Sequence, residues 1–344
     1  MTYLQKVHSE TATRFWVNNP SLEECRLAIE GGAVSCTTNP AYCSRLFQSD
    51  PRFIYDAIKK VVAHEKDVNA AAEAVYHNVS AELMRLFLPV FEASGGKAGF
   101  VTIQEDPRRE ENTRYIIEAS LRSGKLAPNY MSKIPVTAPG LKVIEEMIRN
   151  NIPVCATEVF SLSQAVSVYR LYQEFSKKYG NRPPLFITHI TGIMDQYFKD
   201  IVEKEKIPVS PGALKLAGTA IALKEYRLFR REGYECRMLG GGARGLEHFT
   251  NFVGGDLHIT INWSTAAELN RKNPPVEALA DTEIPASIIR ELEDKLPNFS
   301  RAYEEGAMEP EEFSDYGPVM LFRTQFMNGF ARLLDAIRIA MKSA

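Results

Sequence analysis

Short runs of consecutive apolar residues alternate along this chain with longer stretches in which apolar positions recur every three or four residues. The short runs predict strands at Thr13–Val17, Ala33–Thr37, Gly99–Gln104, Asn129–Ile134, Pro153–Glu158, Leu185–His189, Glu235–Leu239 and Leu257–Ile261. Continuous apolarity, rather than strict alternation, is what strands covered on both faces of a parallel sheet require. Most of these runs are followed by helix-period segments, among them Ala138–Arg149, Leu162–Lys178 and Leu246–Val253. Eight alternating units predict the α/β class and a (β/α)8 TIM barrel rather than an open doubly wound sheet, which usually has fewer strands.

Two stretches leave that rhythm. Ser49–Gly95 has almost no strand pattern and long helical periods (Ile54–Lys66, Val68–Ala93), so it reads as a helical insertion between the second and third strands. A comparable excursion covers Ile201–Glu232. Beyond the eighth strand, Asn273–Pro318 is rich in proline and acidic residues and leads into a final amphipathic helix over about Val319–Met341. That helix is expected to pack across the barrel or on a partner, such as a second copy in a homodimer. With no internal repeat or low-complexity segment, one elaborated barrel domain over 1–344 is the simplest organisation, with additional helices and a C-terminal extension from about residue 273.

Composition narrows the class. The chain has 344 residues, 45% of them hydrophobic, enough for a large core. A net charge of -2 offers no basic field for nucleic acid or an anionic membrane. No apolar stretch reaches the length of a membrane span, and the N-terminus has no apolar signal core. Cys25, Cys36, Cys43, Cys155 and Cys236 form no paired metal-ligand spacing. Their odd number and apolar surroundings suit free thiols in a reducing compartment. The six histidines show no metal-binding pattern. A cytoplasmic globular protein is the expectation.

One residue carries candidate chemistry by its setting alone. Lys133 lies inside the apolar run Tyr130-Met131-Ser132-Lys133-Ile134-Pro135-Val136. A buried lysine avoids the cost of desolvating an ammonium by losing its proton, and the neutral amine is a nucleophile towards carbonyl carbon. A strand-end lysine whose stem snorkels to solvent is the alternative.

In a (β/α)8 barrel the active site forms at the C-terminal ends of the strands. Residues there form a polar series: Asn18, Thr38-Asn39, Gln104, Lys133, Thr157, Thr188-His189, Gly240-Gly241-Gly242 with Arg244, and Asn262. Singly, the Asn and Thr members read as helix caps. Together they outline one mouth. Several segments resemble transaldolases. Cys36-Thr37-Thr38-Asn39-Pro40-Ala41 resembles their TTNP segment, and Val101-Thr102-Ile103-Gln104-Glu105-Asp106-Pro107-Arg108 their third-strand segment. Lys133-Ile134-Pro135-Val136-Thr137-Ala138-Pro139-Gly140-Leu141 resembles their K-I-P-x-T-x-x-G-L signature. Asn151 to Ala165 is similar to the stretch leading into their fifth helix. The likeness runs in order from about Phe15 to His258, with a weaker match around Phe322-Arg323.

The resemblance implies a class I mechanism without metal or cofactor, placed in carbohydrate metabolism such as the pentose phosphate pathway. Lys133 would form a Schiff base with a ketose or ketose-phosphate donor. The C3–C4 bond would break to leave a dihydroxyacetone unit on the lysine for transfer or release. Asn39 would hydrogen-bond donor hydroxyls, Thr157 would hold the catalytic water, and Thr38, Thr188, Gly242 and Arg244 would line the substrate site.

The proton-handling carboxylates of the family are replaced: Asn18 stands at the first-strand aspartate and Gln104 at the third-strand glutamate. Neither amide can exchange a proton near neutral pH. Strand parity turns His189 outward if Thr188 points in, and it sends Glu158 and Tyr130 towards the helices as well. Asp106 has the parity of Gln104 but is expected to serve the following loop. Of the family's two phosphate arginines, one position reads Gly192-Ile193 and the other keeps Arg244. The glycines at 240–242, followed by a helix at Gly245–Val253, would offer backbone amides as a further anion cradle. Two other readings follow from the missing acids: a non-catalytic sugar-binding or regulatory homologue, and an imine enzyme with different later chemistry or an unusual ketose.

Overall fold

All eight apolar runs are strands, and they close on themselves. The computed structural model describes residues 1–343. Its strands are β1 (Arg14–Asn18), β2 (Ser35–Thr37), β3 (Val101–Gln104), β4 (Tyr130–Pro135), β5 (Val154–Val159), β6 (Leu185–His189), β7 (Arg237–Gly240) and β8 (His258–Ile261). They pair in parallel in sequence order, and β8 returns to β1. Together with the interleaved helices this is a (β/α)8 TIM barrel. Closure removes both sheet edges, so every strand is covered inside and out.

Helices α1 (Tyr3–Glu10) and α2 (Leu22–Glu30) flank β1, and α3 (Tyr42–Ser49) follows β2. The first excursion is α4 (Pro51–Val62) and α5 (Val68–Ala93). Around the barrel follow α6 (Thr113–Ser123), α7 (Ala138–Arg149), α8 (Leu162–Tyr179), α9 (Thr191–Glu205) and α10 (Pro211–Glu232). The second excursion is therefore the end of α9 and the whole of α10. After β7 comes α11 (Glu247–Thr250), only one turn long where a helix to Val253 was expected. The chain ends in α12 (Trp263–Lys272), α13 (Ala286–Lys295), α14 (Pro297–Tyr303) and α15 (Gly317–Ser343). Among the described residues no helix is long and apolar enough to cross a membrane.

Alternation along the strands sorts two cores. Trp16, Phe100, Met131, Cys155, Phe186 and Leu239 fill the lower barrel as one buried cluster. Residues of the opposite parity join the larger cluster between strands and helices. Two residues above that inner layer stand Asn18, Lys133, Thr157 and Thr188, which parity directs to the upper mouth. α15 crosses this end, packing on α3, α4, α5 and α9 and touching β5. Gly329 makes the close approach possible: a Cβ there would lie 2.5 Å from the Ala41 Cβ and 2.7 Å from its Cα.

Candidate active site

Lys133 sits on the inner face of β4, in register with Gln104 on β3. It is 6% exposed. Its Nζ donates to the Thr38 carbonyl at 3.3 Å and lies 5.8 Å from the centroid of the Phe326 ring of α15. Burial pushes the ammonium below its ordinary value, and the nearby Cys155, Glu158 and Cys36 only partly oppose it. The snorkelling alternative is excluded, because the amine stays inside.

Lys133 opens on a cavity of about 200 Å³ at the mouth, lined by Asn18, Thr37, Asn39, Arg45, Thr188, Gly242, Arg244, Thr260, Asn262 and Phe326 among others. One wall is a continuous polar chain. The Thr37 hydroxyl donates to Asn18 Oδ1 at 2.9 Å and lies 2.6 Å from the Thr260 hydroxyl, while Asn18 Nδ2 donates to Asn262 Oδ1 at 2.9 Å. Asn39 Oδ1 accepts the amide of Ala41 at 3.0 Å and so fixes the loop into α3. Thr188 pairs with the Cys155 thiol at 3.1 Å. Thr38 is placed elsewhere: its hydroxyl donates to the Thr102 carbonyl and meets Tyr76, away from the cavity lining. Its carbonyl is what reaches the lysine.

The carboxylate that parity sends outward is in fact turned in. Ala156 pairs with Ile187 and Val159 with His189, so β5 holds one residue more than β6 over this interval. The extra residue is accommodated at Glu158, whose φ of 59° is left-handed. Gln164 clamps the bulge, its Nε2 donating to the Glu158 and Val136 carbonyls and its Oε1 accepting from the Phe160 amide and Ser161 hydroxyl. Glu158 is fully buried, and Gln104 Nε2 donates to its Oε1 at 2.9 Å. Desolvation raises its carboxyl well above the ordinary value, against the pull of Gln104, Lys133 and Arg323. Beside it, Arg323 of α15 pairs with Glu110 at 2.6 Å. Burial, and then the Glu158 charge, raise the Glu110 carboxyl too.

The other expectations sort cleanly. His189 faces outward and pairs with Glu225 of α10 at 2.8 Å, both fully buried. Tyr130 likewise faces α6, beside Ser120 and Ser123. Asp106 caps the loop after β3 and pairs with Arg108. Several amides of the expected glycine cradle are already bonded within the protein. The Gly241 amide donates to the His189 carbonyl, and the Arg244 and Gly245 amides both donate to His248 Nδ1. Arg244 itself lines the cavity, held by Gln196 and Gln325. Arg45, Glu110, Gln325 and Phe326 carry no strand-end signal, because they lie on helices and a loop. Only the fold brings them to the mouth.

A family model described as Transaldolase/Fructose-6-phosphate aldolase matches residues 15–308, from β1 past β8. The chain is similar to the transaldolase of Thiobacillus denitrificans, 27% identical over 172 residues covering 48% of each chain. It is similar to that of Trichodesmium erythraeum, 25% identical over 216 residues covering 57% of this chain and 56% of the relative. The transaldolase of Mycobacterium ulcerans is 30% identical over 142 residues, covering 40% of this chain and 38% of its own. The chain thus spans about half the length of the curated relatives it matches. With the matched stretch holding every strand of the barrel and the buried lysine of its fourth, the chain belongs to the transaldolase/fructose-6-phosphate aldolase family.

Proposed function

We propose that this protein cleaves or transfers a three-carbon dihydroxyacetone unit from a ketose through a Schiff base on Lys133. The observation that carries the reading is the desolvated amine of Lys133 facing a small cavity walled by hydroxyls and amides. A neutral amine adds to the C2 carbonyl of the ketose, and the carbinolamine loses water to give a protonated imine. Removal of the C4 hydroxyl proton lets the C3–C4 bonding pair move towards the imine. C4 leaves as an aldehyde, and a three-carbon enamine stays on the lysine. Attack of that enamine on a second aldehyde completes a transfer; protonation and hydrolysis complete a cleavage.

The cavity volume, about 200 Å³, lies below the roughly 300–1,000 Å³ of pockets that hold drug-sized ligands. That suits a short sugar. The Asn18–Thr37–Asn262 chain and Asn39 present donors and acceptors to its hydroxyls, with Arg244 and Arg45 available to an anionic end.

Borohydride reduction with dihydroxyacetone, fructose, fructose 6-phosphate and sedoheptulose 7-phosphate tests the reading. An adduct located on Lys133 by peptide mass, absent from Lys133→Met, is the expected result. No adduct with any of these ketoses overturns it.

A further inference from the structure

We propose that Glu158 is the group that takes up and returns the proton when the carbon–carbon bond at Lys133 breaks and forms. This rests on the Schiff-base reading above and names the residue that performs its missing step. Proton transfer requires an ionisable group near the reacting carbon, and the two amides at Asn18 and Gln104 cannot serve. Three ionisable groups lie within coulombic reach of the Lys133 amine: the Cys155 and Cys36 thiols and the Glu158 carboxylate. Burial raises both thiols above their ordinary value, which keeps them protonated and neutral. His189 and Tyr130 face the helices. Glu158 remains.

Its geometry is built for that place. A non-glycine residue with left-handed φ is strained, and such strain persists where surrounding contacts over-determine it. Here Gln164 holds both sides of the bulge, and Gln104 holds the carboxylate that the bulge re-aims. Without the extra residue, Glu158 would lie among the helices. Glu158 Oε2, Gln104 Oε1 and Thr157 Oγ1 are all buried without a hydrogen-bond partner in the protein. They are the acceptor, acceptor and hydroxyl that one relaying water would join.

The relay moves one proton. The C4 hydroxyl proton passes through water to Glu158 as the C3–C4 pair shifts into the enamine and C4 becomes carbonyl. On transfer, the enamine carbon bonds to the acceptor carbonyl carbon, and the new alkoxide takes the proton back by the same path. The groups facing Glu158 are Gln104 from β3, Lys133 from β4, Glu110 from the loop after β3 and Arg323 from α15. Desolvation favours the protonated form; Gln104, Lys133 and Arg323 favour the carboxylate. The carboxyl is thereby lifted towards neutral pH, where a proton carrier works best.

The test separates trapping from turnover in full-length protein. With Glu158→Gln, the borohydride adduct on Lys133 should persist, since imine formation needs only the amine. Release of glyceraldehyde 3-phosphate from fructose 6-phosphate, or transfer of the remaining three-carbon unit to erythrose 4-phosphate, should fall by about 10²–10⁴-fold, with the acidic limb of the pH profile lost. The exchanged pair, Gln104→Glu with Glu158→Gln, moves the carboxylate back to β3 and should recover much of the rate. A Glu158→Gln enzyme within a few-fold of the parent and with its pH profile overturns the assignment while leaving the lysine standing. So does an exchanged pair as inactive as the single variant. Absence of the adduct in the parent overturns the Schiff-base reading, and with it this one.

Discussion

At the scale of single residues, the site pairs two groups that burial shifts in opposite directions, the Lys133 amine downward and the Glu158 carboxyl upward. Lys133 is displaced downward by burial, so the unfolded chain binds that proton more tightly than the folded one. The resulting penalty on stability is complete at low pH and is released as pH rises towards the ordinary lysine value. Lys133→Met removes the penalty and the nucleophile together. It should abolish the borohydride adduct yet raise the melting temperature at pH 7, and that gain should narrow above pH 9 in a thermal-denaturation series. Part of this was legible in the chain: a lysine within an apolar strand left a buried amine and a snorkelling one both open, and its place in an ordered set of transaldolase-like motifs favoured the buried one. Glu158 was not. Parity along a regular strand sends it outward, and a left-handed glutamate carries no glycine or asparagine to announce the bulge.

Among the elements, strands were easier to read than the pieces that cover them. The barrel strands are buried on both faces along most of their length, so they appear as near-continuous apolar runs, and all eight runs lie where strands form. The segment after β7 misled because Leu246–Val253 has helical periodicity but is helical for only one turn, Glu247–Thr250. Two contacts test how elements hold the site. Gln164→Leu removes the bonds that clamp the β5 bulge and leaves buried backbone groups unpaired. It should cost at least about 2 kcal/mol in urea denaturation and also lower turnover, through misplacement of Glu158. Gly329→Val forces branched carbon into Ala41, where even a Cβ has no room. It should cost roughly 1–3 kcal/mol and raise KM for the ketose, since Ala41 follows Asn39 at the cavity wall. A thermal loss with unchanged KM would mean that α15 does not set the shape of the mouth.

For the molecule as a whole, another buried carboxylate makes stability depend on pH away from the site. Glu105 is fully enclosed behind β3, bonded to Ser123 and near His77, and burial raises it from 4.5 to about 7. Between these values the unfolded chain has released the proton that the folded chain keeps, so stability falls as pH rises through this window. At about 1.4 kcal/mol per unit the loss approaches about 3 kcal/mol. Glu105→Gln should match the parent near pH 4.5 and exceed it by up to that amount at pH 8, followed by chemical denaturation. Equal curves across the range would place the proton elsewhere.

The strap formed by α15 has a consequence for how this protein comes into being. Phe326 over Lys133 and Arg323 beside Glu110 come from a part of the chain made long after β4 has left the ribosome. Until that helix docks, Phe326 does not cover Lys133, and part of the burial that lowers its amine is not yet in place. The full setting of the amine is thus completed by a distant segment of the chain rather than by any local motif. A chain that has not yet closed its C-terminal strap therefore holds a lysine closer to an ordinary one.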